Sequence, residues 1–363
     1  MVSITPIRHA EVLLRRAHLV LTYVLHLYIH SQPPVTTPLP ESPFSIPVSI
    51  SVPLIELSTE LSLPPILTYS DTVLYNWALK DPRGPVSPDN IRMVSNLSLT
   101  TSEEHFYVVS ARIELRGVEA LEIMRSSLDE AFIGDTLALR SIANYLQRLS
   151  FVIDDLSGLL LSVRDGCDPN VFYQEIRPWF RGWSTGGREW LFEGVDEAVA
   201  QKYARMSGPS AGQSSLIHAL DIFLGVDHTK PAVQGAEPAF HTRMEQYMPR
   251  HHRAFLQYLR THSHTTIRGM MSDRVGEAEG VVESLRAAYD GAVMSMKKLR
   301  DGHIRVATLY IVNQARRQAA VPSAGENAVL EMKGTGGTSL VPFLKECRDN
   351  TLRATVGPQD RKN

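Results

Sequence analysis

Residues 293–310 read VMSMKKLRDGHIRVATLY, and this stretch decides the fold predicted for the chain. Its apolar residues recur at steps of three and four, which is the spacing of one face of an α-helix. His303 lies in the middle of this face, whose apolar members are Val293, Met296, Leu299, Val306 and Tyr310. The stretch therefore predicts a core helix that carries a histidine on its buried side.

Two roles account for His303. A neutral imidazole in a dry pocket can offer a nitrogen to a metal, and Gly302 beside it would leave room for a flat macrocycle. A core histidine hydrogen-bonded to the backbone suits the same spacing. The other histidines, including the pairs His251-His252 and His262-Ser-His264, show no metal-site spacing. If His303 binds iron, an organic macrocycle that supplies the remaining ligands is the better match.

Helical spacing extends over most of the chain, and no alternating run long enough for a convincing strand is present. The sequence therefore predicts an all-α architecture. Proline-rich segments at 31–47 and 82–90 break the pattern, so we expect a small N-terminal helical domain over 1–98 and a large one over 99–363. The predicted helices span about 11–29, 53–61, 69–80, 103–118, 137–163, 169–181, 213–224, 237–247, 249–259, 281–314 and 340–348.

Charge and cysteine content limit the function. The chain has 37 Lys and Arg against 39 Asp and Glu, a formal charge of -2 that gives no field to hold a polyanion, so nucleic acid is a poor candidate partner. Cys167 and Cys347 are too few for a disulfide framework or a zinc cluster and indicate a reducing compartment, the cytoplasm.

The apolar stretch near the N-terminus is the one segment that suggests a membrane. It follows Arg15-Arg16 and is interrupted by His18 and His26, so it falls short of the ~18 apolar residues of a spanning helix. A secretory signal would match its basic-then-apolar order but lacks a small-residue cleavage site. A buried helix of a soluble protein is the better interpretation.

Three further segments could carry chemistry. Residues 333–338 (KGTGGT) could converge backbone amides on an anion or form a simple turn. Residues 208–215 (GPSAGQSS) precede an apolar helix that Ser210 or Ser214 could cap, or they could contact a ligand. Phe172 and Arg177 stand five apart and would suit an aromatic anion, although a packed Phe and an exposed Arg is the default.

Together and in this order, the motifs of the chain resemble the indoleamine 2,3-dioxygenase family from about Arg15 to Thr351. The motifs that carry the resemblance are PPILTYSDTVLYNW (64–77), FYVVS (106–110), DPNVF (168–172) with Arg177, SAGQSS (210–215), YMP (247–249), LRDGH (299–303) and KGTGGT (333–338).

The resemblance implies a haem b protein that cleaves the indole C2–C3 bond of tryptophan with O₂ to give N-formylkynurenine, the first step of the kynurenine route towards NAD. His303 matches the proximal iron ligand. Arg300 and Asp221 match a pair at a haem propionate, with Ser210 and Gly212 also beside the cofactor. Arg177 matches the clamp on the substrate carboxylate and Thr335 the loop over its ammonium. The remaining pocket positions are Ser110, Phe106, Tyr69, Thr72, Val73, Phe172 and, further out, Phe180.

The expected chemistry agrees with these residue types. Ferrous haem activates O₂ and indole supplies an electron-rich double bond, so the step needs an apolar, orienting pocket more than a strong base. Ser110, Phe172 and Arg177 are the predicted catalytic side chains, and Arg177 would grip a carboxylate with two parallel hydrogen bonds. The expected partners are O₂, tryptophan or a related indoleamine, and a reductant of unidentified nature, acting on a monomer.

Two departures from the family pattern leave alternatives open. The region before the helix at 11–29 is shorter than usual and 31–47 is rich in proline, so part of the small domain is expected to be missing or replaced. Pro209 stands where glycine is usual and deletes a backbone N–H. A haem protein that binds O₂ with little turnover, and a haem-free paralogue acting through protein contacts, are therefore the alternative functions.

Overall fold

The computed structural model describes residues 3–32, 43–182, 189–228, 239–262, 267–272, 279–319 and 339–357. The helices are α1 Glu11–His30, α2 Val48–Leu61, α3 Thr101–Ile133, α4 Thr136–Leu161, α5 Pro169–Val171, α6 Glu197–Lys202, α7 Ser215–Phe223, α8 Phe240–Glu245, α9 Arg250–His262, α10 Ile267–Ser272, α11 Glu279–Ala307, α12 Asn313–Ala319 and α13 Leu340–Arg353. The predicted all-α class is confirmed.

Helix α11 lies at the centre of the main core, as its apolar stripe predicts. Val293 and Met296 are fully buried and pack with residues of α3, α4, α7 and α9. Helix α4 provides the largest share of the facing surface, including Leu146, Leu149 and Ile153, all inaccessible to solvent. Two long apolar helix faces thus bury each other and fix the frame to which the remaining elements attach.

Local signals in the sequence set the ends of α3 and α4. Thr100 accepts a hydrogen bond from the Glu103 N–H at the start of α3, and Glu103 accepts from the backbone amides of Leu97 and Ser98. Gly134 ends α3 with a φ of +69°, a conformation that costs a residue without Cβ little. Asp135 then caps α4 through the Ala138 amide.

Within the described ranges, four three-residue strands depart from the all-helical expectation. β1 Phe44–Ile46 pairs in parallel with β4 Trp190–Phe192, and β2 Trp77–Leu79 pairs antiparallel with β3 Ile91–Met93. The helix predicted over 69–80 is therefore wrong beyond its first turn. Residues 77–79 form a strand instead, because residues 91–93, after the proline-rich turn, pair with them. Strands this short carry no period-2 signal that a sequence could display.

Helix α1 packs on α2 and buries polar as well as apolar residues. His18 and His26 are fully buried, and His18 Nδ1 lies 2.7 Å from Asp71 Oδ1. By length and hydropathy α1 is one helix that could cross a membrane, and 39% of the relevant window is buried inside the protein. The division of the chain at residue 98 remains a prediction.

Candidate functional site

A cavity of about 300 Å³ opens between α3, α11 and the loop before α7. Its walls are mainly apolar, which is typical of a small-molecule or cofactor site. Seven of the pocket positions implied by the sequence line it, together with His303, Arg300, Ser210 and Gly212. Those seven are Tyr69, Thr72, Val73, Phe106, Ser110, Phe172 and Phe180.

Among the described residues, three wide π-helical turns contribute to the cavity wall. They span Ser70–Leu74, Phe172–Ile176 and Thr308–Val312, and each contributes residues to the lining. A π turn closes hydrogen bonds from residue i+5 to residue i and re-aims the side chains that follow, which is why such turns recur at functional sites. The helices predicted over 169–181 and 281–314 are therefore interrupted where they reach the cavity.

His303 faces the cavity from α11. In the described part of the chain, no group is hydrogen-bonded to its ring. Burial and the nearby Arg300 guanidinium lower the pKa of His303 to about 4, so the imidazole is neutral at pH 7. Within the described residues His303 therefore has no backbone hydrogen bond of the kind expected for a core histidine, and its ring is available as a ligand.

Arg300 lies one helical turn before His303 and forms a buried ion pair with Asp221. Arg300 Nη2 is 2.6 Å from Asp221 Oδ2, and His228 Nε2 is 3.0 Å from the same oxygen. The guanidinium and His228 hold the pKa of Asp221 well below its usual range despite burial. Arg300 Nε is buried without a hydrogen-bond partner, so its N–H can donate to an anionic group beside the cavity.

Aromatic side chains close the opposite wall. The ring of Phe106 lies 4.9 Å from that of Phe172 and 6.1 Å from that of Phe180, and Phe172 meets Tyr310 edge-on at 5.5 Å. Tyr310 is fixed by a hydrogen bond of 2.6 Å from its hydroxyl to the Cys167 carbonyl. These rings give a flat aromatic ligand packing surfaces and exclude water.

Polar groups of the wall are mostly engaged with the protein. Ser110 Oγ donates to the Phe106 carbonyl of its own helix at 3.2 Å. The Tyr69 hydroxyl and Ser214 both donate to Glu114, whose pKa is raised by burial. Gln213 accepts from the Tyr69 amide and donates to the Gly208 carbonyl, so it joins two sides of the cavity.

The loop before α7 approaches the backbone of Phe180 so closely that position 208 requires glycine. A Cβ on Gly208 would stand 1.9 Å from the Phe180 carbonyl oxygen. The next residue, Pro209, lines the cavity directly. Ser210 accepts from the Gly212 amide and caps a short turn, whereas Ser214 caps α7, so each serine caps a different element.

Two described residues of the predicted site, Asp221 and Arg177, are not in the cavity lining, and Asp221 reaches it only through its ion pair with Arg300. Arg177 is buried and its guanidinium carbon lies 5.4 Å from the centre of the Tyr173 ring, outside the lining that Phe172 joins. Thr335 and the rest of 333–338 lie outside the described residues. The substrate roles of Arg177 and Thr335 remain predictions.

The interpretation of Gly302 is wrong. A Cβ at Gly302 would face Leu161 of α4 at 3.7 Å, an ordinary contact, and Gly302 is not among the described residues that line the cavity. Residues adjacent in a helix point about 100° apart, so a neighbour of His303 cannot share its face. Any space beside His303 is created by the surrounding cavity wall.

Sequence reasoning also missed a group of three potential metal ligands beside the ion pair. His228, His241 and Cys347 offer ligand atoms that lie within 4.8 Å of one another. The stacked rings of His228 and His241 are 4.1 Å apart. They come from the segment after α7, from α8 and from α13, so no spacing in the sequence could announce the group.

The chain is similar to known proteins of one family along most of its length. The profile described as "Indoleamine 2,3-dioxygenase" matches residues 1–354. The chain is 33% identical to the indoleamine 2,3-dioxygenase of Saccharomyces cerevisiae, with 96% of this chain and 80% of the relative covered. It is 34% identical to indoleamine 2,3-dioxygenase 2 of Mus musculus over 86% of this chain and 73% of the relative. The chain is also 31% identical to human indoleamine 2,3-dioxygenase 2, with 95% of this chain and 80% of the relative covered.

The all-α fold thus places a histidine and an arginine on one wall of an apolar cavity. The chain belongs to the indoleamine 2,3-dioxygenase family. It is therefore of the oxidoreductase class, and the family implies haem. The residues present suit that cofactor, because His303 offers an uncommitted neutral nitrogen and Arg300 an unsatisfied buried N–H.

Proposed function

We propose that this protein is a haem b-dependent tryptophan 2,3-dioxygenase that inserts both oxygen atoms of O₂ across the indole C2–C3 bond to give N-formylkynurenine. The reaction would open the kynurenine route towards NAD, and the two buried cysteines agree with a reducing, cytoplasmic setting. Tryptophan or a related indoleamine is the substrate and an unidentified reductant maintains the ferrous state. We propose a monomer.

His303 would hold the iron, and Arg300, kept in place by Asp221, would donate hydrogen bonds to a propionate. Bound ferrous haem supplies the capacity to activate O₂. Ser210 and Gly212 belong to a short turn in the cavity lining and would lie beside the cofactor. The chain itself thus contributes a ligand, a charge partner and a shaped apolar space.

The aromatic wall would orient the indole. Phe106, Phe172 and Phe180 surround one end of the cavity and can pack against a flat bicyclic ring. Orientation converts an encounter of two reactants into an effectively intramolecular step. The carboxylate of the amino acid would be held by Arg177 after that side chain turns towards the cavity, and its ammonium by Thr335.

No strong base is required on this wall, and the lining agrees with that requirement. The hydroxyl of Ser110 is engaged with the Phe106 carbonyl, and that of Tyr69 with Glu114. Proton transfers in the reaction would therefore occur within substrate and oxygen. The single observation that carries the proposal is the uncommitted His303 ring facing an aromatic cavity beside the Arg300–Asp221 pair.

A tryptophan turnover assay on purified, haem-loaded and reduced protein tests the proposal. The Soret band establishes whether haem is retained, and its absence would favour the haem-free alternative. A tryptophan-dependent gain of N-formylkynurenine absorbance is expected under air. A haem-loaded protein that binds O₂ without product formation would instead establish the oxygen-binding alternative, for which Pro209 in the lining is the structural argument.

A further inference from the structure

We infer that His18 and Tyr23 of α1 are positioning residues for the cavity, because they hold the π turn at 70–74 on either side. Three lining side chains come from this turn or from the residue directly before it, namely Tyr69, Thr72 and Val73. His18 and Tyr23 are not themselves among the described lining residues. A ligand of the cavity therefore depends on α1 without touching these two side chains. That this ligand is tryptophan rests on the proposed function.

His18 holds the first part of the turn through Asp71. His18 Nδ1 lies 2.7 Å from Asp71 Oδ1, and Asp71 Oδ2 accepts from the backbone amide and the hydroxyl of Thr68 at 2.9 and 2.6 Å. His18 Nε2 lies 3.2 Å from the Pro64 carbonyl oxygen, so both ring nitrogens face acceptors and only an imidazolium donates to both. Burial alone would lower the pKa of His18, but the Asp71 carboxylate raises it above its ordinary value.

Tyr23 holds the segment just after the turn through Asn76. The Tyr23 hydroxyl accepts from the Asn76 side-chain amide at 3.0 Å and donates to the Ser95 carbonyl at 3.2 Å. Asn76 in turn accepts from the Ser95 backbone amide at 2.9 Å, and its side chain is inaccessible to solvent. Two side chains of one helix thus fix the chain on both sides of the lining residues.

Stability alone does not account for a buried charge pair at this point. His18 and Asp71 are 0% and 2% exposed, and apolar side chains of similar volume often stabilise a fold as well as a buried ion pair does. A charged hydrogen bond is, however, short and directional, so it fixes the position of the turn. Because protein interiors are close-packed, a shift of the turn moves the wall that an aromatic ligand contacts. Thr72 and Val73 follow Asp71 directly and belong to that wall.

Hydrogen exchange tests the inference without reference to turnover. Backbone amides of residues 68–76 are compared between the full-length, haem-loaded protein and His18→Gln, which keeps a donor but cannot carry the charge. We expect exchange in this segment to rise by about tenfold or more, as for loss of a charge-assisted hydrogen bond, while α4 keeps its protection. Unchanged exchange in 68–76, or an equal rise in α4, would overturn the role of His18.

Tyr23→Phe removes one hydroxyl on the other side of the turn and decides the question if His18→Gln does not fold. Its exchange in 68–76 should rise about 2- to 10-fold, as for a neutral hydrogen bond. Thr22→Val is the matched control, because Thr22 is fully buried on the same helix but donates to the Leu19 carbonyl of α1 itself. No rise in Tyr23→Phe, or an equal rise in Thr22→Val, would refute the two contacts.

Steady-state kinetics then separates positioning from a general loss of stability. His18→Gln should raise KM for tryptophan by about tenfold while kcat of the haem-loaded enzyme changes less than about twofold, since the lost interaction shapes the binding wall. A fall in kcat with KM unchanged would contradict this role. A protein without any tryptophan turnover would contradict the proposed function instead, and the exchange of 68–76 would still decide the role of His18.

Discussion

Arg300 and Asp221, 79 residues apart in the sequence, form a buried ion pair in which Nη2 of the arginine lies 2.6 Å from Oδ2 of the carboxylate. The pair fixes α11 to α7 on the wall that carries His303. Burying two charges is costly unless they are paired and hydrogen-bonded, and here His228 satisfies the carboxylate further. The ion pair therefore determines both the position of the Arg300 side chain and the charge beside it at this point of the cavity.

Arg300→Ala should accelerate haem loss without abolishing haem binding. A charge-assisted bond to a propionate contributes about 1.5–3 kcal/mol, which corresponds to roughly a 10- to 150-fold change in affinity. Transfer of haem to an acceptor globin measures the rate. Arg305→Ala, at an exposed arginine of the same helix, is the control. Equal transfer rates in Arg300→Ala and the unaltered protein would contradict a propionate contact.

His303→Ala should abolish stable haem retention. Within the described residues, His303 is the cavity-facing histidine whose ring has no hydrogen-bond partner, so no equivalent ligand remains after its removal. The Soret absorbance of purified protein and its pyridine haemochrome give the haem content. His9→Ala, at an exposed histidine, should keep full content. A normal five-coordinate histidine-type spectrum in His303→Ala would assign the iron to another residue.

Ser110→Ala should change kcat/KM for tryptophan by less than about tenfold. The Ser110 hydroxyl donates to the Phe106 carbonyl and is not poised to protonate a ligand. Loss of a general acid typically lowers the rate 10²–10⁴-fold, so the two cases are well separated. Steady-state kinetics on haem-loaded protein decides, and a fall of more than ~100-fold would establish a proton-transfer role.

Arg177→Lys should lower kcat/KM for tryptophan strongly while haem content stays constant. Lysine replaces a planar fork with a point charge and cannot reproduce paired hydrogen bonds to a carboxylate. Tryptamine lacks the carboxylate and provides the comparison. If tryptamine turnover falls in parallel, the effect of the substitution arises from packing against Tyr173, which Arg177 contacts in this structure.

Acid should destabilise the fold through His26 and His30. Burial lowers the pKa of His26 to about 3 and that of His30 to about 4. Below the ordinary histidine pKa of about 6.5, His26 and His30 bind protons in the unfolded chain but stay neutral in the native protein. The free energy of unfolding therefore falls as the pH drops towards 4. Each histidine contributes up to ~1.4 kcal/mol per pH unit.

Denaturant unfolding between pH 6.5 and 4.5 measures this slope. His26→Gln removes one titrating group and should reduce the slope by nearly one proton, whereas His9→Gln at an exposed site should not. An unchanged slope in His26→Gln would mean that His26 does not take up its proton on unfolding in this range.

The sequence alone determined the long helices and the motif positions. Apolar steps of three and four define one face of a helix without reference to any partner, so α4 and α11 were predicted close to their observed bounds, and His303 was predicted on the buried face. Local caps such as Asp135 act within one turn. The same locality explains the error at Gly302, because a neighbour in sequence was assumed to be a neighbour in the pocket.

Only the tertiary structure decided which side chains meet. The π turns at 70–74, 172–176 and 308–312 each place residues in the cavity lining, and the strand at 77–79 exists because 91–93 pairs with it. Contacts between residues 13 to 119 positions apart leave no periodic trace, so the group of His228, His241 and Cys347 was invisible in the sequence. Periodicity records the face a residue takes, whereas its partners depend on how separate faces pack.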